Sequence, residues 1–364
     1  MRILIATDAW LPQINGVVRS IQNLITQLQK KGHQVDLISP LEMRSWACPS
    51  YPEIRLAMGV GSYLAANIEP ILEEYDSIHI ATEGPIGWAM RRLCLRYQLS
   101  FTTAYHTKFP EYVYERWQMP MRWSRAFLRR FHSASSGVMV STMSLKRELQ
   151  SYGFKNLDLW SRGVDTDLFR PETHEKFFSG PGPHLLYVGR LAVEKNIEAF
   201  LNLPTNGTKH IVGEGPLANE LKRKYPEAKF YGAKVGAELA KFYAQADLFV
   251  FPSLTDTFGL VLLEALACGT PVAAFSVAGP KDVIRSKSVG VLNQDLSQAV
   301  RLALQVNRAE CRSYAERFSW AQSAEQFLDN LVEASSGKTG ENPQKSIFAR
   351  TYALAMQGLR LQGW

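Results

Sequence analysis

What most constrains this chain is one structural grammar written twice along it, with a single interruption. Residues 2–8 alternate into a short apolar strand and Asn15-Gly16 supplies a turn. Val18, Ile21, Leu24, Ile25 and Leu28 then recur at helical spacing until Gly32. Residues 34–39 read as the next strand. Strand, glycine turn, helix and strand make a βαβ unit, whose right-handed crossover sets its two strands parallel. Further strands are expected at 77–82, 100–105, 137–142 and 157–160. The pattern breaks between 162 and 183, where Arg170-Pro171-Glu172 leads into Ser179-Gly180-Pro181-Gly182-Pro183. It restarts with strands expected at 184–189, 209–212, 229–231, 248–252, 272–275 and 289–292, followed by helices around 297–304 and 320–332. The expected fold class is α/β: a first domain over 1–165, a linker over 166–183 and a second domain over 184–334, the two facing a cleft. A polar spacer and a short amphipathic tail occupy 335–364. Open parallel sheets bind ligands beyond the carboxyl ends of their strands, so the loops that follow the strands are the places to look for chemistry.

Composition narrows the class. A length of 364 residues suits two domains, and 46% hydrophobic against 21% charged residues excludes a disordered chain. Cys48, Cys94, Cys268 and Cys311 form no CxxC pair, which fits neither a disulfide framework nor a zinc site and points to a reducing cytoplasm. The apolar stretch at 3–6 is too short for a signal-peptide core, and no run approaches the ~20 apolar residues of a membrane span. Membrane contact is then expected only at the surface. No histidine or acidic spacing suits a metal, so neither metal nor cofactor is expected.

Three strand-end segments carry candidate chemistry. In DAWLPQINGVVR (8–19), Gly16 stands where a strand hands over to a helix, so backbone N–H groups and the helix dipole can meet an anion; a plain turn glycine reads as well. In VGRLAVEKN (188–196), Arg190 and Lys195 lie five apart across another such turn. A guanidinium fork and an ammonium converging there suit a diphosphate, with ordinary solvated charges as the alternative. In SLTDTFGLVLLEALACG (253–269), Asp256 precedes a helix and Glu264 lies inside it among Leu262, Leu263, Ala265 and Leu266. A carboxylate there needs partners, which sugar hydroxyls or a structural cation would supply. His106 closes the strand 100–105 and so faces the cleft. GEGPLA (213–218) matches a dinucleotide fingerprint but lacks the acidic residue about 20 positions on, so it reads as a decoy.

With HTKFPEY (106–112) and RGVDTDLF (162–169), these segments in this order resemble glycosyltransferase family 4 over about residues 1–332. The closest likeness is to sulfoquinovosyl- and glycosyl-diacylglycerol synthases and lipid-directed α-mannosyltransferases. The resemblance implies the GT-B architecture, two Rossmann-like parallel-sheet domains facing a cleft, and transfer with retention of configuration. It implies that Gly16, Arg190 and Lys195 meet the donor diphosphate and that Glu264 meets the ribose. Asp256, Thr257, Phe258 and Gly259 would meet the sugar, with His106 beside it. His106, Arg190, Lys195 and Asp256 become the catalytic candidates. Asp256 departs from the family's usual glutamate by one methylene. For the tail within 335–364 the resemblance implies a final helix crossing back to the first domain, with a membrane-touching tail as the alternative.

The formal charge of +7 is local. Residues 86–150 hold eleven Lys and Arg against three acids, an excess of +8, so the remainder sums to −1. Around 119–133, Arg122, Arg125, Arg129 and Arg130 interleave with Trp123, Phe127 and other apolar residues. That composition suits a segment lying on an anionic membrane, or a helix packing on its own domain with solvated charges. The expected partners are a nucleotide-sugar donor, a UDP-sugar favoured, and a lipid or lipid-linked acceptor such as diacylglycerol, with no nucleic acid. GDP-mannose with a polyprenyl-linked or glycolipid oligosaccharide is the rival pair, and a non-catalytic nucleotide-binding subunit the rival class. The expected location is the inner face of the cytoplasmic membrane, peripherally attached.

Overall fold

The computed structural model describes residues 1–13, 15–48, 51–172 and 177–334. The expected spacer and final helix at 335–364 lie outside the described residues.

Two six-stranded parallel sheets form the frame. The first runs β2 (Gln34–Ile38), β1 (Arg2–Ala6), β5 (Ser77–Ile80), β6 (Thr102–Tyr105), β7 (Gly137–Val140), β8 (Leu157–Leu159). The second runs β11 (Lys229–Phe230), β10 (Thr208–Val212), β9 (His184–Val188), β12 (Leu248–Phe251), β13 (Val272–Phe275), β14 (Gly290–Asn293). The strands are apolar on both sides because helices cover both faces. Ile3 and Ile5 pack with Ile21, Leu24 and Leu28 on one face, while Leu4 and Ala6 pack with Ile86 and Met90 on the other. In the second sheet Leu185 and Tyr187 divide from Leu186 and Val188 in the same way.

Strand order reverses beside β1 and β5 in the first sheet and beside β9 and β12 in the second. Reversal points leave crevices at the carboxyl ends of the strands, which is where such sheets bind ligands. Several strands end one or two residues earlier than the sequence pattern predicts: Thr7-Asp8, Thr82 and Ser141-Thr142 leave the ladder. Their polar side chains serve the loops instead. Asp8 Oδ1 accepts from the backbone N–H of Ile86 at 2.8 Å and Thr82 Oγ1 donates to Asp8 Oδ2 at 3.0 Å, anchoring the start of helix Pro85–Arg96.

Two features differ from expectation. An antiparallel hairpin, β3 (Ser45–Cys48) and β4 (Tyr51–Ala57), follows β2 outside the main sheets. Pro49 and Pro52 hide it from pattern reading, since proline marks strand edges and turns. Residues 320–334, expected in the second domain, pack on the first sheet instead. Phe327 of helix Trp320–Asp329 is buried among Ile3, Ile5, Leu24 and Trp160, and the backbone N–H of Ala334 donates to the Asp76 carbonyl at 2.8 Å. The returning chain runs against the outgoing one: a Cβ at Gly163 would sit 2.3 Å from the Trp320 nitrogen, so only glycine fits there. The two crossings between sheets are thus packed as a pair.

Candidate active site

On the second sheet, the loops after β9 and β12 meet at the reversal point. Lys195 ends a single 3-10 turn, Val193–Lys195, and its Nζ lies 2.6 Å from Asp256 Oδ1, with the two side chains 20% and 17% exposed. Asn196 Nδ2 donates to the Pro252 carbonyl at 3.1 Å and Thr255 Oγ1 to the Glu194 carbonyl at 3.3 Å, so the two loops hold one another. Burial, the largest single effect, lowers the Lys195 ammonium, but the charge and hydrogen bond of Asp256 together with the neighbouring Tyr112 and Tyr187 outweigh it and hold the ammonium above its ordinary range. Asp256 Oδ2 is buried with no hydrogen-bond partner among the described residues. Tyr112, from helix Phe109–Trp117 of the first domain, reaches this pair, and burial pushes its phenol up to about 12. Arg190 follows Gly189 directly, its carbonyl accepting from Tyr187 Oη at 2.8 Å.

The start of the first helix, Gly16–Lys30, faces helix Leu260–Ala267 across the cleft. Asn15 caps it by accepting from the N–H groups of Val17 and Val18, each at 3.0 Å. Gly16 is exposed and has no left-handed backbone; an added Cβ would meet only Leu260 Cδ1, at an ordinary 3.7 Å. One turn on, Arg19 Nη1 donates to Glu264 Oε1 at 2.7 Å, and Tyr243 Oη donates to Glu264 Oε2 at 2.9 Å. Burial raises the Glu264 carboxyl, with Arg19 and Tyr243 working against it. The apolar surroundings of Glu264 are therefore answered by a cation from the facing domain.

Between these halves lies His106. Its carbonyl accepts from Thr257 Oγ1 at 2.7 Å, while Ser141 Oγ donates to the Thr257 carbonyl at 3.1 Å, so the 256–259 loop is docked on the ends of β6 and β7. His106 Nδ1 lies 3.2 Å from Arg162 Nη2, and its Nε2 is buried with no partner among the described residues. Gly259 has φ +85, a left-handed conformation that favours glycine at the entry to helix Leu260–Ala267. The Phe258 side chain is buried in the core of the second domain, so Phe258 offers the cleft its backbone only.

Comparison with known proteins assigns this arrangement to a family. The family model described as Glycosyltransferase Family 4 matches residues 14–168, and that described as Glycosyl transferases group 1 matches residues 182–308, one on each domain. The chain belongs to glycosyltransferase family 4. Among relatives of this glycosyltransferase is a GDP-mannose-dependent α-mannosyltransferase from Mycobacterium tuberculosis, 29% identical over 80% of this chain and 83% of that one. Another is an α-monoglucosyldiacylglycerol synthase from Streptococcus pneumoniae, 29% identical over 84% and 78%. A sucrose-phosphate synthase from Thermosynechococcus elongatus superposes with a TM-score of 0.75 at 21% identity, covering 90% of this chain and 97% of that one, and shares the GT-B fold.

The sequence candidates of the glycosyltransferase thus fall on one cleft: Gly16, Arg190, Lys195, Asp256, Thr257 and Gly259 stand in strand-to-helix connections at the reversal points, His106 just after β6, and Glu264 in the second turn of helix Leu260–Ala267. Sequence reasoning missed Arg19, Tyr112, Arg162 and Tyr243. Three of them lie inside the quoted motifs, but nothing in their spacing signals which carboxylate or ring they meet. The glycines of GEGPLA serve packing: at Gly213 a Cβ would fall 1.9 Å from the Gly189 carbonyl oxygen.

The basic segment forms helix Met121–His132. Arg122, Trp123, Phe127, Arg129 and Arg130 share an exposed face, Trp123 at 63% and Phe127 at 46%. Arg125, expected on that face, turns inward. Its Nη2 lies 3.3 Å from Glu111 Oε1 and its guanidinium 3.8 Å from the Tyr152 ring centroid, because helical spacing directs it toward the neighbouring helices. Among the described residues no helix is long and apolar enough to cross a membrane, and no three His, Cys, Asp or Glu side chains converge as metal ligands would.

Proposed function

We propose that this glycosyltransferase moves a hexose from a nucleotide diphosphate sugar, a UDP-sugar favoured, to a lipid hydroxyl such as that of diacylglycerol. The observation that carries the donor site is the Lys195–Asp256 pair at the reversal point of the second sheet, its second carboxylate oxygen buried and unmatched. A diphosphate there meets Lys195 and Arg190, whose charges stabilise the leaving group as its negative charge grows. Gly16 lies opposite with room for a phosphate or sugar to approach the helix start, since neither backbone nor packing otherwise requires glycine. Glu264 accepts from ribose hydroxyls. Asp256 and the 257–259 backbone take sugar hydroxyls, with His106 alongside.

The reaction is a same-face substitution. The bond from sugar C1 to the β-phosphate oxygen breaks, the acceptor oxygen bonds to C1, and the acceptor proton passes to the leaving phosphate. The protein supplies position and electrostatics. The name of the S. pneumoniae relative supports a diacylglycerol acceptor. The exposed Trp123 and Phe127 beside Arg122, Arg129 and Arg130 support an anionic membrane surface, each cation near the bilayer contributing about 1 kcal/mol. The M. tuberculosis relative favours the second reading, GDP-mannose as donor with a polyprenyl-linked or glycolipid acceptor. Purified enzyme is incubated with UDP-glucose, UDP-sulfoquinovose or GDP-mannose and vesicles holding diacylglycerol or polyprenyl glycolipid, with mass-spectrometric detection. A hexosyl-diacylglycerol from a UDP-sugar is expected; a mannosylated polyprenyl product overturns the first reading in favour of the second.

A further inference from the structure

The geometry points to Arg162 as a positioning residue that holds His106 in one tautomer, its single ring proton on Nε2, so that this N–H donates to an oxygen of the bound sugar. Arg162 is buried at the crossing between domains. Its Nη1 donates to the Trp160 carbonyl at 2.6 Å, and its guanidinium lies 3.9 Å from the Trp160 ring centroid. Its Nη2 stands 3.2 Å from His106 Nδ1. A guanidinium has five donors and no acceptor, so this contact is a hydrogen bond only when Nδ1 presents its lone pair. An imidazolium would set N–H against N–H beside a buried cation.

The other groups around the ring do not reverse this. His79 is held neutral by burial, pushed down to about 3. His132 is engaged by Thr103 Oγ1 at 2.9 Å and by Glu83 at 3.2 Å. From the second domain the Thr257 hydroxyl arrives, on the His106 carbonyl rather than on the ring. Burial and then the Arg162 charge keep His106 neutral. The proton therefore sits on Nε2, the buried atom without a partner among the described residues. A buried N–H left unmatched is costly, which marks it as a ligand contact. The same logic removes His106 as a base: Nδ1 is blocked and Nε2 is already protonated. That agrees with a reaction in which the leaving phosphate takes the acceptor proton.

The consequence for transfer rests on the reading that His106 borders the sugar, but the tautomer is measured without any transfer. Long-range 1H–15N correlation spectra of the histidine-labelled full chain, with His106 assigned through His106→Gln, should show the Nε2–H form and no titration from about pH 5.5 to 8.5. An Nδ1–H form, or a titration in that range, overturns the inference. In Arg162→Met the ring should stay neutral, because burial remains, but populate both tautomers, and sugar transfer should fall about ten-fold while calorimetric binding of UDP and GDP is unchanged. Equal loss of nucleotide binding would mean a merely structural role. If that variant does not fold, the wild-type spectrum still decides. The expected tautomer in a protein that transfers no sugar would overturn the functional reading alone.

Discussion

Lys195→Met is the most informative single substitution. It leaves Asp256 in a loop where one carboxylate oxygen already lacks a partner and the other loses its contact at 2.6 Å. Removing one member of a buried ion pair costs about 3–5 kcal/mol, and side chains 20% and 17% exposed place this pair at the lower end, about 3 kcal/mol. In a chain of this size that corresponds to a melting temperature lower by about 6 °C. Lys195 is held above its ordinary range in the folded protein. Its stabilisation is therefore complete below the unfolded value of 10.5 and is lost only as pH rises through the folded one. The loss in Lys195→Met should accordingly be the same at every pH across the neutral range. The assay is scanning calorimetry of the wild type, Lys195→Met, Asp256→Asn and the double variant, at low and high salt. A coupling of about 2 kcal/mol between the two sites, insensitive to salt, is expected. Additive effects, or a loss that disappears in high salt as at exposed pairs, would refute the buried-pair reasoning.

Three further outcomes follow from the same geometry. Arg19→Met exposes the desolvation of Glu264: burial raises that carboxyl and Arg19 opposes it, so stability present below pH 4.5 is lost as pH rises through a folded value now higher still. The variant's melting deficit should grow from about pH 5 to pH 8, and adding Glu264→Gln should flatten it. Gly16→Ala should leave the melting temperature within about 1 °C, because its Cβ meets only Leu260 at 3.7 Å, yet weaken calorimetric binding of the nucleotide sugar about ten-fold or more. Neutralising Arg122, Arg129 and Arg130 together should reduce sedimentation with anionic vesicles and spare stability. Arg125→Ala should instead lower the melting temperature, since Arg125 packs against Glu111 and Tyr152.

The sequence made the sheets legible because their strands are buried on both faces: apolar runs such as 184–188 and 248–251 are hard to read otherwise. Cleft residues were legible because glycines, cations and carboxylates stand at strand ends, where the fold rule puts ligands. Partnerships across the cleft were not. Arg19 and Glu264 lie 245 residues apart, and Thr257 meets His106 from 151 residues away, so no local period connects them. Arg125 shows the same limit at short range. Composition put it among the surface cations, but its spacing from Arg122 and Arg129 was compatible with two helix faces, and only packing against Tyr152 selects one.

The measurement closest to the donor site is calorimetric titration of the wild type and Arg190→Ala with UDP, GDP, UMP and GMP. If the 189–195 turn grips a diphosphate, one of the two diphosphates binds at least about ten-fold tighter than its monophosphate, and Arg190→Ala abolishes that increment. Monophosphates and diphosphates binding alike, or an increment unchanged in Arg190→Ala, would contradict the assignment of the donor site.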